Sequence, residues 1–443
     1  VSEDGCTYLF HLLPEATFQD GRPIRADDFV YSIERACSPG LGSPVAASYL
    51  GDIVGAEEFL AGHAEHIKGL VSVSEHELQI EIDAPKAYFL AKLTYPTAFV
   101  VDRAQQIAEE GEAWQRRPNG SGPFVLEELG PDRIILARNE RYYGKPVALE
   151  RVEYFLGGGS PVTMYENDEL DLVQVSSLEV ERVTDPANPL HSECDVALEL
   201  SVSYLGLNAE AAPFDDIAVR QAFAYAIDKE KLADLVLKGT AVPARGILPP
   251  AMPDYDEDLK GLPHDPGRAR ELLASSRYGG VDAMPEIVLA VSGSSGHMSS
   301  FAEAIITMVE DNLGIELMVE QVEWGHFLRD LNQRRYQMFS AGWIADYPDS
   351  QNFLDILFHS ESPQNHTGYR NEQVDGLLED ARVERDPSTR TDLYREAERI
   401  IVAEAAWVPL THATVHTLVK PYVKGFKTSS AIYPWLKDIN LEK

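Results

Sequence analysis

A chain of 443 residues with 44% hydrophobic and 25% charged residues is long enough for two or three globular lobes, and no run approaches the roughly 18 apolar residues of a membrane span. A formal net charge of -34 excludes a binder of phosphate backbones, which needs a basic face, and reads as a solvated acidic surface. Cys6, Cys37 and Cys194 form no CxxC pair, which excludes zinc ribbons and thioredoxin-like redox chemistry; they read as separate thiols rather than as a Cys6–Cys37 bridge.

The first segment alternates in type. A strand over Tyr8 to Leu12 leads to a turn at Gln19-Asp20-Gly21 and then to a helix whose Phe29, Val30, Ile33 and Ala36 recur at helical spacing. Asp27 and Asp28 fall in its first turn, where acidic groups suit the helix dipole. Leu78, Ile80 and Ile82 alternate with Gln79 and Glu81 as a half-buried strand does. Phe124 to Leu129 and Arg133 to Arg138 read as an antiparallel hairpin closed by Gly130-Pro131-Asp132.

An apolar strand ending Tyr204-Leu205-Gly206-Leu207-Asn208 precedes a helix capped by Asp215 or Asp216, with Val219, Ala222, Phe223, Ala226 and Ile227 in one stripe and Gly239 as its stop. Helices at 267 to 276 and 299 to 312 then alternate with strands at 286 to 291 and 315 to 322, which is the α/β pattern. A last helix over 388 to 405 runs into a strand at Trp407 to Leu410.

A set of motifs spans nearly the whole chain: Tyr8-Leu-Phe-His-Leu12, Phe18-Gln-Asp-Gly-Arg-Pro23, Ala26-Asp-Asp-Phe-Val30, Gly120-Ser-Gly-Pro-Phe124, Tyr204 to Asn208, Pro213-Phe-Asp-Asp216, Val219-Arg-Gln-Ala222, Gly342-Trp-Ile-Ala-Asp-Tyr-Pro-Asp349 and Val408-Pro-Leu410. In this order and spacing they make the sequence resemble the family 5 extracellular solute-binding proteins, the ligand-capturing subunits of ATP-driven (ABC) importers. The resemblance implies a mixed α/β (α+β) fold of the periplasmic-binding-protein type, two lobes joined by a hinge with an extra inserted subdomain. It assigns residues 1–120 to the insertion, 121–205 plus 411–443 to the first lobe and 206–410 to the second ligand-binding lobe. It also implies that the first lobe begins upstream of the position matching Val1. The helix at Ala26 departs from the family in having Arg25 where a Ser or Thr cap is usual.

The resemblance also implies a site. Asp346 matches the position that pairs with the free amino group of a peptide, and Gly342, Trp343 and Ile344 belong to the same stretch. Trp324 and Trp343 match aromatic positions that form side-chain pockets, Tyr49 a cleft tyrosine of the inserted lobe, and His412 a position where some relatives carry a cleft tyrosine. Asp346 as a cap of the following helix, and the tryptophans as core, are the plain structural alternatives. Ser340 stands where oligopeptide-binding relatives can carry an Arg for the peptide carboxylate, so a carboxylate clamp is not expected there.

The implied function is capture of a peptide and its delivery to the permease subunits of an importer. The implied setting is extracellular or periplasmic, as a monomer peripheral to the membrane, lipid-anchored if an upstream segment supplies the anchor. Oligosaccharide, nickel chelate or a ligand-sensing role in a regulatory protein are the alternatives. No GxSxG, HExxH or P-loop is present, so no enzyme, cofactor or nucleic-acid partner is expected. Gly293-Ser-Ser-Gly-His297 reads as a polar turn rather than as a nucleophile and base, and the pairs His63/His66 and His412/His416 are weak metal signals, His412 falling just beyond the expected strand.

Overall fold

The computed structural model describes residues 1–108, 113–293, 296–428 and 436–442. The chain forms two compact units, one built on Val1–Val173 with Val419–Lys427 and the chain's end, the other on Gln174–Leu418.

In the first unit, strands β1 (Thr7–His11), β2 (Leu70–Ser74) and β3 (Glu77–Glu81) form an antiparallel sheet in the order β1-β3-β2. The period-two pattern of β3 is realised: Leu78 and Ile80 are buried, as is Ile82 just beyond. The helix Ala26–Ala36 lacks a side-chain cap from Arg25; the Asp28 carboxylate instead accepts the Arg25 N–H at 2.9 Å and a bond from Arg22 at 3.0 Å. An acid three residues in thus satisfies a donor that a Ser cap would leave to others. A second sheet, β4 (Phe124–Leu129), β5 (Arg133–Arg138) and β6 (Arg151–Phe155), contains the expected hairpin plus one strand the sequence pattern did not reveal.

In the second unit, beyond β7 (Leu172–Gln174), lie β8 (Cys194–Leu198), β9 (Ser201–Leu207), β10 (Ala241–Pro243), β11 (Ile287–Ser292), β12 (Leu317–Val322), β13 (Met338–Ile344) and β14 (Trp407–Val419). They run β10-β14-β9-β13-β11-β12, with β8 paired to the far part of β14. The strands β12, β11 and β13 are mutually parallel, and β9 is antiparallel to both β13 and β14. Leu205, Leu207, Met338, Val408 and Leu410 pack with the helices Ile217–Ala226, Pro266–Ser275 and Ser300–Leu313. Tyr204, Phe339 and Trp407 pack with Phe353, Phe358 and Tyr394. At about 1.5–3 kcal/mol for each fully buried large apolar side chain, these two layers hold the unit together.

Gly206, the glycine of the Tyr204–Asn208 motif, is required by this packing: a Cβ there would lie 2.0 Å from the Phe339 ring.

Two sequence expectations fail. The helix starting at Asp216, whose carboxylate accepts the Ala218 N–H at 2.9 Å, ends at Ala226 rather than at Gly239. Asp228 breaks it by capping a new short helix, Lys229–Lys231, which widens into a π turn over Leu232–Val236 before Gly239 at φ 84°; a second cap residue offers the backbone a competing start. The strand at Trp407 continues past Leu410 to Val419 across an irregularity between Pro409 and Thr411, so His412 lies inside β14 and not beyond it. All three cysteines are free thiols, and burial pushes Cys37 up to about 12. Ser294 and Ser295 of the tempting serine turn lie outside the described residues.

Candidate functional site

Parallel strands place the loops that follow them at one edge of a sheet, and ligands of open α/β sheets sit beyond that edge. Here β12 ends at Val322 beside Ser292 of β11, and β11 lies next to β13, so Glu323-Trp324 and Ala345-Asp346 emerge at the same edge of the second unit. The antiparallel β9 begins there, with Ser201 opposite Ile344.

The segment after β13 is fixed by buried polar ties. The Ala345 N–H donates to Leu200 O at 2.7 Å, extending the β9–β13 ladder by one bond. Asn352, fully buried, accepts through Oδ1 from the Trp343 indole N–H at 3.0 Å and from the Asp346 N–H at 3.2 Å. Its Nδ2 faces Asp346 Oδ2 at 3.4 Å. Asp349, rather than Asp346, caps the single turn Ser350–Asn352 by accepting the Gln351 N–H at 2.9 Å. Asp349 is itself held by Arg390 through two bonds of 2.7 and 2.9 Å, with the guanidinium 4.8 Å above the Tyr394 ring.

Behind that turn, Tyr347 donates its hydroxyl to Gln351 at 2.5 Å, Gln351 donates to Asp355 at 3.0 Å, and Arg382 clamps Asp355 with bonds of 2.7 and 2.9 Å. Ser350 is tied to Asp254 at 2.7 Å. Paired, hydrogen-bonded ions of this kind hold geometry more than they add stability. The effect is a rigid mount that leaves the half-buried Asp346 carboxylate at the edge.

The other expected residues of this unit divide by exposure. Trp324 opens the helix Trp324–Asn332, 58% exposed and stacked on Phe327 at 5.9 Å; Glu323 caps that helix through the His326 N–H at 3.1 Å. Gly342 and Ile344 are exposed, and a Cβ on Gly342 would meet nothing closer than Val202 O at 3.5 Å. Trp343 is half-buried. His412 is buried, its Nδ1–H donating to Ser201 O at 2.8 Å, and burial holds it down to about 4, hence neutral at pH 7. Its Nε2 has no partner among the described residues. Tyr49 belongs to the first unit, buried in the helix Ala46–Leu50 and stacked on Tyr95 at 3.8 Å.

With this geometry in place, residues 1–365 match the family described as bacterial extracellular solute-binding proteins, family 5 Middle. The chain belongs to that family. It is 29% identical to the periplasmic oligopeptide-binding protein OppA of Escherichia coli, over 96% of this chain and 80% of OppA. It is also 29% identical to the probable deoxycholate-binding periplasmic protein YgiS of the same organism, over 96% of this chain and 81% of YgiS. Among solved structures, a periplasmic oligopeptide-binding protein of Borrelia burgdorferi superposes with a TM-score of 0.87 at 28% identity, covering 100% of this chain and 89% of its own. The mixed α/β fold is therefore that of the periplasmic peptide-binding proteins.

Within this family 5 chain, the sequence reading missed Asn352 and the acids and arginines behind the loop. Nothing in the local pattern marks a buried Asn six residues after Asp346 as the partner of Trp343. Arg382 and Arg390 come from helices 30 to 40 residues downstream. His63 is exposed and His66 is engaged by Glu34 at 3.1 Å, a pairing equally invisible in the spacing of the two histidines.

Proposed function

We propose that this family 5 chain is the peptide-capturing subunit of an ABC importer, that it acts outside the cytoplasmic membrane, and that Asp346 holds the free amino group of the ligand. The observation that supports the reading is the half-buried Asp346 carboxylate at a sheet edge, mounted by Asn352 and relieved of capping duty by Asp349. A carboxylate in a site that loses water on ligand binding makes a strong charge-assisted bond with an ammonium. Trp324 and Trp343 on the same edge supply flat surfaces for varied side chains, and Gly342 leaves backbone uncovered between them. The names of the relatives, oligopeptide and deoxycholate among them, make peptide the first ligand class to test.

The reading includes binding without chemistry and delivery to permease subunits. The division into 1–120, 121–205 with 411–443, and 206–410 belongs to it too; what supports a separate first part is that the sheet β1-β3-β2 draws its strands from residues 7–81 alone. Mass spectrometry of ligand released by denaturing protein purified from its host tests the ligand class directly. Peptides in the released fraction, recovered intact after incubation with fresh protein, are expected. A single sugar, sterol or metal chelate in their place, or peptide cleavage abolished by one substitution, overturns the proposal.

A further inference from the structure

We propose that Asn352 is a positioning residue for ligand recognition: its amide links the Trp343 indole to the Asp346 carboxylate, so that contact of a ligand side chain with the ring and capture of the ligand amine are one coupled event. The inference rests on the reading of Asp346 as the amine's partner.

The chemistry of the amide fixes its direction. Asn352 is fully buried, and the two groups that meet one end of it, the Trp343 indole N–H at 3.0 Å and the Asp346 backbone N–H at 3.2 Å, can only donate. The carbonyl end must face them, because the turned-over amide would set N–H against N–H. The NH2 end is then aimed at the Asp346 carboxylate, with Nδ2 3.4 Å from Oδ2. One side chain thus accepts from the ring and donates to the acid.

The amide plane depends on those bonds. The terminal torsion of an Asn side chain is broad and sets no orientation by itself, whereas the backbone beneath it is held: the Asn352 N–H donates to Asp349 O at 3.0 Å, Asp349 is gripped by Arg390, Ser350 by Asp254 and Gln351 by Tyr347, and Phe353 is buried in the core. What remains adjustable is the rotation of the amide. Trp343 is half-buried, packed on its inner side against the layer that contains Tyr204, Phe339 and Trp407, with the rest of the ring accessible. A ligand side chain that holds the ring in place keeps the indole N–H on Oδ1, keeps the amide plane, and keeps the donor on Asp346. Without the indole bond, Oδ1 retains one of its two donors and the aim of Nδ2 slackens. Hydrogen bonds in such a chain strengthen or weaken together.

The test reads one quantity, the Kd of an N-acetylated tripeptide divided by that of the free tripeptide, from calorimetric titration with the weaker ligand measured by competition. The wild-type ratio is expected to be about 30 or more. Trp343→Phe keeps an aromatic ring but removes the indole N–H, and should lower the ratio about fivefold or more, as should Asn352→Leu; the double variant should stay within about twofold of the lower single variant. A ring that serves only as a flat surface would weaken both peptides in parallel. An unchanged ratio in Trp343→Phe, or losses that multiply in the double variant, overturns the role of Asn352 while leaving Asp346 as the anchor. A wild-type ratio near one overturns the reading of Asp346 and this proposal with it. Asn352→Leu leaves two N–H groups without their acceptor; should it fail to fold, the indole ¹H–¹⁵N resonance of Trp343 in the wild type, identified by its loss in Trp343→Phe, decides. It must differ in position between the complexes with free and acetylated peptide, and identical positions overturn the proposal.

Discussion

Replacing Asp346 by Asn removes one negative charge at nearly constant size. The Asp346 N–H bond to Asn352 Oδ1 at 3.2 Å is made by the backbone and survives, and the side-chain contact with Asn352 Nδ2 is long, at 3.4 Å. The amide oxygen of Asn can still accept it. The unliganded variant should therefore lose less than about 1 kcal/mol, the lower end for a net hydrogen bond. Ligand affinity should respond far more, because the amine would enter a drying site without its counter-charge, at a cost of about 2–4 kcal/mol, or about 30- to 1,000-fold in Kd. Titration calorimetry with a free tripeptide and its N-acetylated form measures both halves: the acetylated peptide on wild type should bind about as weakly as the free peptide on the variant. Binding by Asp346→Asn within about threefold of wild type, or a large fall in its ligand-free melting temperature, would refute the assignment and make Asp346 a scaffold residue.

Two glycines of neighbouring strands should behave oppositely. Gly206→Ala drives a methyl into the Phe339 ring and should cost about 1–3 kcal/mol or more in urea unfolding, whereas Gly342→Ala has room, should leave the urea midpoint nearly unchanged, and should lower peptide affinity by obstructing the exposed strand. Lys229 is half-buried, its Nζ donating to Ala244 O at 3.1 Å with no carboxylate paired to it among the described residues, and desolvation brings its ammonium down to about 8. Between pH 8 and about 10.5 the unfolded chain holds a proton that the folded chain has released, so Lys229 makes stability rise with pH by up to about 3 kcal/mol; comparing urea midpoints of wild type and Lys229→Met across that window should show the rise only in the wild type. Glu398 is the converse case: wholly buried and accepting the N–H groups of Ile247 and Leu248 at 2.7 and 2.8 Å, it is raised by burial to about 7. The stability this contributes is complete below about pH 4.5 and is lost as pH rises through 7, so Glu398→Gln should match the wild type near about pH 4 and exceed it at pH 8 by up to about 3 kcal/mol.

Where local periodicity decides structure, the sequence was legible. The alternation in Leu78–Ile82, the hairpin at Gly130-Pro131-Asp132 and the helices at 266–275 and 300–313 lie within two residues of their expected bounds. Local signals misled where two caps compete, as Asp216 and Asp228 do, and where a strand runs on through an irregular step, as β14 does beyond Pro409. The candidate residues Trp324, Trp343 and Asp346 could be named only through the motifs that carry the family resemblance. Their shared edge follows from strand order, which no single segment encodes. The mount behind them was illegible for the same reason: the partner of Trp343 is Asn352, but the partners of Asp349 and Asp355 sit on two helices much later in the chain.

Those late partners have an evolutionary implication. Arg390, Arg382 and Asp254 grip the segment 347–355 by its inward side chains, while Trp324, Gly342 and Ile344 point outward and share none of those bonds. Replacement of an outward residue leaves the anchoring chemistry intact, so mutation can explore new ligands without first surviving a loss of structure. A lineage built this way can diversify what it carries while its framework stays recognisable at under 30% identity.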